Sequence, residues 1–175
     1  MEPPPAFRYH PDPFRSGSVK ASATACRCCG RARGFVYAGP VYGEEELRDL
    51  LCPWCIATGD AAARLGATFA DGYALAQAGI SKDIVREVTE RTPGFTTWQS
   101  EEWLSHCGDA CAFLGDATPE QLGTWEAREQ LCAALGIAAS DWEQFVRSYR
   151  PGGDPAVYAF ECLVCKEKRF GSDCS

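Results

Sequence analysis

Two C-x-x-C pairs, Cys26-Arg27-Cys28-Cys29 and Cys52-Pro53-Trp54-Cys55, carry the strongest chemical signal in this 175-residue chain. Each pair lets two thiolates converge on one ion, and the 22 residues between Cys29 and Cys52 give the chain room to return. Cys26, Cys29, Cys52 and Cys55 therefore read as a structural zinc site with four sulfur ligands. Gly30 follows the first pair, where a residue free to take positive φ lets backbone N–H groups approach the sulfurs. Cys28 is the alternative to Cys26 as ligand.

A third pair, Cys162-Leu163-Val164-Cys165, lies near the C-terminus, with Lys166 where a glycine is more usual. It needs partners from elsewhere, and the candidates are His106, Cys107 and Cys111. On a helix, Cys107 and Cys111 would share a face while His106 points about 100° away. If a helix ends at His106 or Cys107 instead, adjacent side chains can converge, and His106 with Cys107 completes a Cys3His site. Both sets stay open, and either brings the expected cofactor to two Zn2+ ions. Cys132 reads as a core residue and Cys174 as a free thiol.

A catalytic zinc keeps one coordination position for water and needs a proton shuttle nearby. Cys107, Cys162 and Cys165 with His106 or Asp109 would meet that requirement, but three thiolates make a weak Lewis acid, and His10 and His106 are the chain's two histidines. The deaminase pattern H-x-E with P-C-x-x-C is missing, as are H-E-x-x-H, G-x-S-x-G and the phosphate-loop motif. Cys52-Pro53-Trp54-Cys55 resembles a redox dithiol, yet the alternating βαβ context is not there. The balance is against an enzyme, with a zinc hydrolase as the rival.

The elements that must position these ligands form an α+β pattern. Pro3, Pro4, Pro5, Pro11 and Pro13 exclude a helix and leave an extended arm that docks through Phe7, Tyr9 and Phe14. Gly34 to Ala38 and Val41-Tyr42 flank Gly39-Pro40 like two strands around a turn. A helix from Pro53 to about Phe69 follows, with Ala62, Leu65 and Phe69 on one face. Its first turn would favour the Cys52 and Cys55 thiolates. Knuckle, β-hairpin and helix in this order predict a treble-clef-like zinc finger.

Residues 71–150 read as mainly helical, with starts at Ser81 before Lys82 to Arg91, at Thr118-Pro119 before Glu120 to Leu135, and at a Ser140 to Glu143 capping box. Ala156 to Phe160 alternates like a strand, closing the chain with the third C-x-x-C pair. The division expected is an arm plus zinc module over residues 1–70 and a helical region with the second knuckle over 71–175, the two forming separate parts or one compact unit. Trp98 and Trp103 offer either core or a recognition surface.

The chain is 46% apolar with a formal charge of −7. Zinc bound by four thiolates would make it more negative still, which disfavours non-specific nucleic-acid binding. Residues 1–43 nevertheless hold Arg8, Arg15, Lys20, Arg27, Arg31 and Arg33 against Glu2 and Asp12. That basic arm is the one feature that could touch phosphates, its other reading being a solvated segment. No signal-peptide pattern and no spanning apolar stretch is present, so a soluble cytoplasmic protein without membrane insertion is expected. Eleven cysteines in a reducing compartment suit metal better than disulfides.

Several of these residues recur together: Tyr9-His10-Pro11-x-Pro13, Cys26 to Cys29, Leu51-Cys52-Pro53-x-Cys55-Ile56-Ala57, Arg91-Thr92-Pro93-Gly94-Phe95 with Trp98-Gln99, His106-Cys107-x-Asp109, Phe113-x-Gly115 and Cys162-x-x-Cys165. In this combination, running nearly end to end, the chain resembles the CbrC family, named for a colicin E2 tolerance protein. The resemblance implies a small bacterial cytoplasmic protein without established catalysis, associated by name with bacteriocin tolerance or an altered envelope; action through a protein partner is expected instead from two ligand sets without an open coordination site. The resemblance also implies that His106 and Cys107, rather than Cys111, complete the second site.

Overall fold

The computed structural model describes residues 2–99 and 101–175. The proline-rich arm runs without regular structure and docks through Phe7 and Tyr9, which are buried, while Phe14 stays partly exposed against the edge of Phe35. His10 is buried as well. Its Nδ1 donates to the Pro93 carbonyl at 2.7 Å, and its Nε2 accepts from Ser16 Oγ at 2.7 Å. A carbonyl can only accept, so this pairing selects the neutral ring protonated at Nδ1.

Strand β1 (Val19–Ala21) pairs antiparallel with β2 (Phe35–Tyr37), Val19 opposite Tyr37. The first knuckle sits in the loop between them. This differs from the expected hairpin of residues 34–42, because Gly39-Pro40 folds over the ring of Tyr37, whose hydroxyl donates to the Pro40 carbonyl at 2.8 Å. Tyr42 bridges Thr68 instead. Strand, knuckle, strand and helix is therefore the observed order, with the hairpin around the knuckle rather than after it.

The helix expected from Pro53 to Phe69 is two: α1 (Pro53–Ala57) and α2 (Asp60–Leu65). Gly59, at φ +80°, cannot continue a right-handed helix, and Gly66 at φ +63° ends the second one. Phe69 thus lies outside any helix, against the edge of Tyr37 with its N–H on the Thr89 carbonyl at 2.7 Å. Gly94 approaches the Phe69 carbonyl oxygen so closely that a Cβ would overlap it.

Helix α3 (Tyr73–Gln77) precedes α4 (Lys82–Arg91), which is capped by Ser81 as its sequence predicts. The next stretch is extended rather than helical: β3 (Ser105–His106), β4 (Asp109–Ala110) and β5 (Ala112–Asp116). Cys107 at φ +52° and Gly108 at φ +75° make the two-residue turn between β3 and β4, a conformation closed to a helix. Thr118 forms its capping box on α5 (Pro119–Leu122), but the helix stops at Gly123. Thr124 then caps α6 (Trp125–Leu135). Asp141 precedes α7 (Trp142–Ser148) without a side-chain cap, since Ser140 Oγ turns to the Asp141 carboxylate instead.

Strands β6 (Ala156–Glu161) and β7 (Lys168–Asp173) complete an antiparallel sheet in the order β5-β6-β7, with the second knuckle in the β6–β7 loop. One face of this sheet carries an aromatic cluster in which Phe95 stacks on Phe113 at 4.0 Å beside Trp103 and Phe160. Leu122, Leu131, Trp142 and Val157 form a second apolar cluster, with α6 lying along β7. Trp103 is core, while Trp98 is 55% exposed. Contacts also cross residue 70, since Tyr9 belongs to the sheet's aromatic cluster and Gly94 N–H donates to Tyr37 Oη. The architecture is α+β, and among the described residues no helix is long and apolar enough to cross a membrane.

Candidate metal centres

Cys26, Cys29, Cys52 and Cys55 gather within 4.8 Å of one another. The first two come from the β1–β2 loop and the others from the start of α1. Cys26 Sγ lies 3.8 Å from Cys55 Sγ, and Cys29 Sγ lies 3.9 Å from Cys52 Sγ. Tetrahedral zinc with bonds of about 2.3 Å requires sulfurs about 3.8 Å apart, so the set fits that ion. Cys28 is buried, but the group of four does not include it. Cys26, Cys52 and Cys55 are buried among Leu47, Leu51, Trp54 and Ile56, which makes this group part of an apolar core.

The second group is His106, Cys107, Cys162 and Cys165. The β3–β4 turn supplies the first two and the β6–β7 loop the others. His106 Nδ1 lies 3.4 Å from both Cys107 Sγ and Cys165 Sγ. These separations are near the ~3.5 Å that zinc–nitrogen and zinc–sulfur bonds dictate. The other ring nitrogen, Nε2, faces the Glu167 carboxylate at 3.7 Å, the kind of outer partner that fixes a ligating imidazole. Cys111 is not in the group: it is fully buried in the aromatic core, its carbonyl accepting from Trp103 Nε1 at 2.9 Å. With residue 107 in the β3–β4 turn and residue 111 between β4 and β5, the shared helical face that would have aimed Cys111 at the site does not exist.

The two knuckles have the same backbone form. Cys26 N–H donates to the Arg31 carbonyl at 3.0 Å, and Cys162 N–H to that of Glu167 at 2.9 Å. In both, the first cysteine is held below the ordinary thiol range. Contact with Cys52, with N–H groups of Cys28 and Cys29 assisting, holds Cys26 down to about 4. For Cys162, burial opposes ionisation, but N–H groups of Cys165 and Val164 and the contact with His106 bring it to about 6. Neighbours move the other way: contact with Cys26 raises Cys52, burial raises Cys55, and contact with Cys165 pushes Cys107 up to about 11. Cys26 and Cys162 are thus favoured as thiolates, and ionising Cys52, Cys55 and Cys107 as well requires a cation at each centre.

Contacts that sequence reasoning missed surround these groups. Asp109 Oδ2 takes Arg8 Nη2 at 2.6 Å, and its Oδ1 accepts from Tyr9 Oη and its neighbour Ala110 N–H, both at 2.8 Å. The arm thereby clamps the hairpin that carries His106 and Cys107. Glu101, 4% exposed, accepts from Tyr42 Oη at 2.6 Å and Asp71 N–H at 3.0 Å. The pairing of Tyr9 with Asp109 has no local sequence signal, since 100 residues separate them. A cleft of about 640 Å3 opens between Trp98, Asp116 and Tyr158 on the sheet side.

The sequence matches the uncharacterised protein family UPF0167 over residues 4–174. It is 53% identical over 177 residues to the UPF0167 protein PA1536 of Pseudomonas aeruginosa, covering 99% of each chain. It is also 42% identical over 165 residues to the UPF0167 protein Mb2317 of Mycobacterium bovis, covering 92% of this chain and 88% of that one. No solved structure matches it. Neither the family's description nor the relatives' names carry the CbrC or colicin-tolerance association that the motifs suggested.

Proposed function

The chain belongs to the uncharacterised protein family UPF0167, and from that footing we propose that it is a non-enzymatic, zinc-stabilised scaffold that acts by binding a protein partner. The observation that carries this reading is that each cluster brings four protein ligands to one centre at tetrahedral spacing, leaving no coordination position for a water nucleophile. In the hydrolase reading, Asp109 would shuttle protons at the second centre. Its two oxygens are instead engaged by Arg8, Tyr9 and Ala110.

The nucleic-acid reading is also weakened. Arg8, Arg15, Lys20, Arg27 and Arg33 each have a carboxylate within 4.0 Å, so most of the basic arm is neutralised internally. The partner surface proposed is the cleft beside Trp98. There Asp116, exposed at the cleft, has no hydrogen-bond or ion-pair partner among the described residues and suits a Lys or Arg side chain of the partner. The cytoplasmic setting belongs to this proposal and rests on the cysteine content together with the motif resemblance, while the CbrC likeness and a role in bacteriocin tolerance or envelope stress, also part of it, rest on the motif resemblance alone.

The experiment is a photo-crosslinking residue at position 98, introduced in cells that make the protein. One discrete adduct that disappears on Asp116→Asn supports the reading. Indiscriminate adducts, or an adduct indifferent to Asp116→Asn, would contradict it.

A further inference from the structure

The two centres present the same chemistry to very different surroundings. Cys26, Cys52 and Cys55 are 1%, 1% and 4% exposed, enclosed by apolar side chains, and Cys29 is half-buried beside them. At the second centre Cys162 is buried, whereas Cys107 and Cys165 are exposed. Both exposed thiols stand in hairpin loops, Cys107 in the tight turn after β3 and Cys165 in the loop after β6. Attack on an oxidant by a thiolate requires approach to the sulfur, so exposure decides which ligands can react.

We infer that Cys107 and Cys165 are an oxidant-reactive pair, a site of oxidative modification that opens the second centre while the first stays closed. This rests on the zinc reading above. The oxidant class is a hydroperoxide. The sulfur of one thiolate attacks a peroxide oxygen, the O–O bond breaks, and hydroxide leaves to become water with one proton, giving a sulfenic acid. The second thiolate attacks that sulfur, the S–O bond breaks, and a second hydroxide leaves as water with another proton. The two thiolates lose two electrons, the peroxide gains two, and one disulfide forms.

The geometry favours this pair. Both sulfurs lie 3.4 Å from His106 Nδ1 and within 4.8 Å of each other, so a modest approach of two loops brings them to bonding distance. Cys162 is buried and its sulfur contacts the His106 carbonyl at 3.8 Å, away from solvent. With Cys107 and Cys165 joined, His106 and Cys162 remain as a two-ligand site, which cannot hold a structural zinc ion. The disulfide then takes over from the metal as the link between the β3–β4 turn and the β6–β7 loop, while His106 and Cys162 are left without an ion and the Asp109 clamp still ties the hairpin to the arm.

The test uses wild-type protein whose zinc has been counted, exposed to hydrogen peroxide with a colorimetric zinc chelator present, followed by peptide mapping for disulfides. One zinc ion should leave at least about tenfold faster than the other, together with a Cys107–Cys165 disulfide, and dithiothreitol with added zinc should restore it. Two ions leaving at one rate, or a first disulfide among Cys26, Cys29, Cys52 and Cys55, would overturn this inference and leave the zinc reading standing. Protein that holds no zinc before peroxide is added overturns both.

Discussion

Gly30 and Lys166 occupy the same place in two knuckles. Each follows a C-x-x-C pair with left-handed backbone, φ +71° and +66°, and each N–H donates to the carbonyl of the first cysteine, at 2.7 and 3.0 Å. The departure from glycine at 166 therefore leaves the knuckle's form intact and places a side chain in a conformation that costs an L-residue about 1 kcal/mol. Lys166→Gly should raise thermal stability slightly, and Gly30→Ala should lower it by about 1 kcal/mol, both read by calorimetry on zinc-loaded protein. A Lys166→Gly variant less stable than wild type would mean that its exposed ion pair with Glu161 outweighs the backbone strain.

Asp109 joins the arm to the second centre, and removing it strands the buried Tyr9 hydroxyl. Asp109→Ala should cost about 2–3 kcal/mol in denaturant unfolding. Tyr9→Phe should cost less alone and add little when combined with Asp109→Ala, because the two share one hydrogen bond. Strict additivity would show that the clamp contributes nothing.

Much of the candidate site is legible in the sequence because C-x-x-C is a local pattern. Its four-residue turn places two sulfurs together whatever the rest of the chain does, and the clusters contain all three pairs. His106 and Cys107 are harder: helix and turn both fit their neighbourhood, and the decision falls to Cys107, whose positive φ has no clear sequence signal in a non-glycine residue. Gly108 hinted at it. The stretch from Pro53 to Phe69 reads as one helix because its alanine-rich composition hides the break at Gly59, and the hairpin lies elsewhere than expected because Val41-Tyr42 has strand composition while Tyr42 pairs with Thr68. Long-range partners such as Tyr9 with Asp109 leave no pattern to read.

His10 gives the fold a defined response to acid. Burial pushes its imidazole down to about 4, against the Pro93 carbonyl, which favours the charged ring. The folded value lies below the unfolded value of 6.5, so the ring's contribution is present above pH 6.5 and is lost as pH falls toward 4, on the order of 3 kcal/mol in all. NMR titration of zinc-loaded protein should show no His10 protonation above pH 5. An inflection near 6.5 would show that the ring is not buried as described.

The first centre belongs to an apolar core and the second to the end of a sheet that has its own aromatic cluster. Cys55→Ser should therefore abolish cooperative melting of the N-terminal half, whereas Cys165→Ser should retain the near-ultraviolet circular dichroism of the aromatic cluster. Equal loss of that signal in both variants would show that the sheet, too, depends on its metal.

Zinc per protein is the most direct measurement of the central claim, taken by elemental mass spectrometry on untagged wild type and on Cys162→Ser. Two ions in the wild type and one in the variant are expected, since Cys162 belongs to the second centre alone. One ion in wild type, unchanged by Cys162→Ser, would contradict the claim and leave His106, Cys107, Cys162 and Cys165 as a cluster of free side chains.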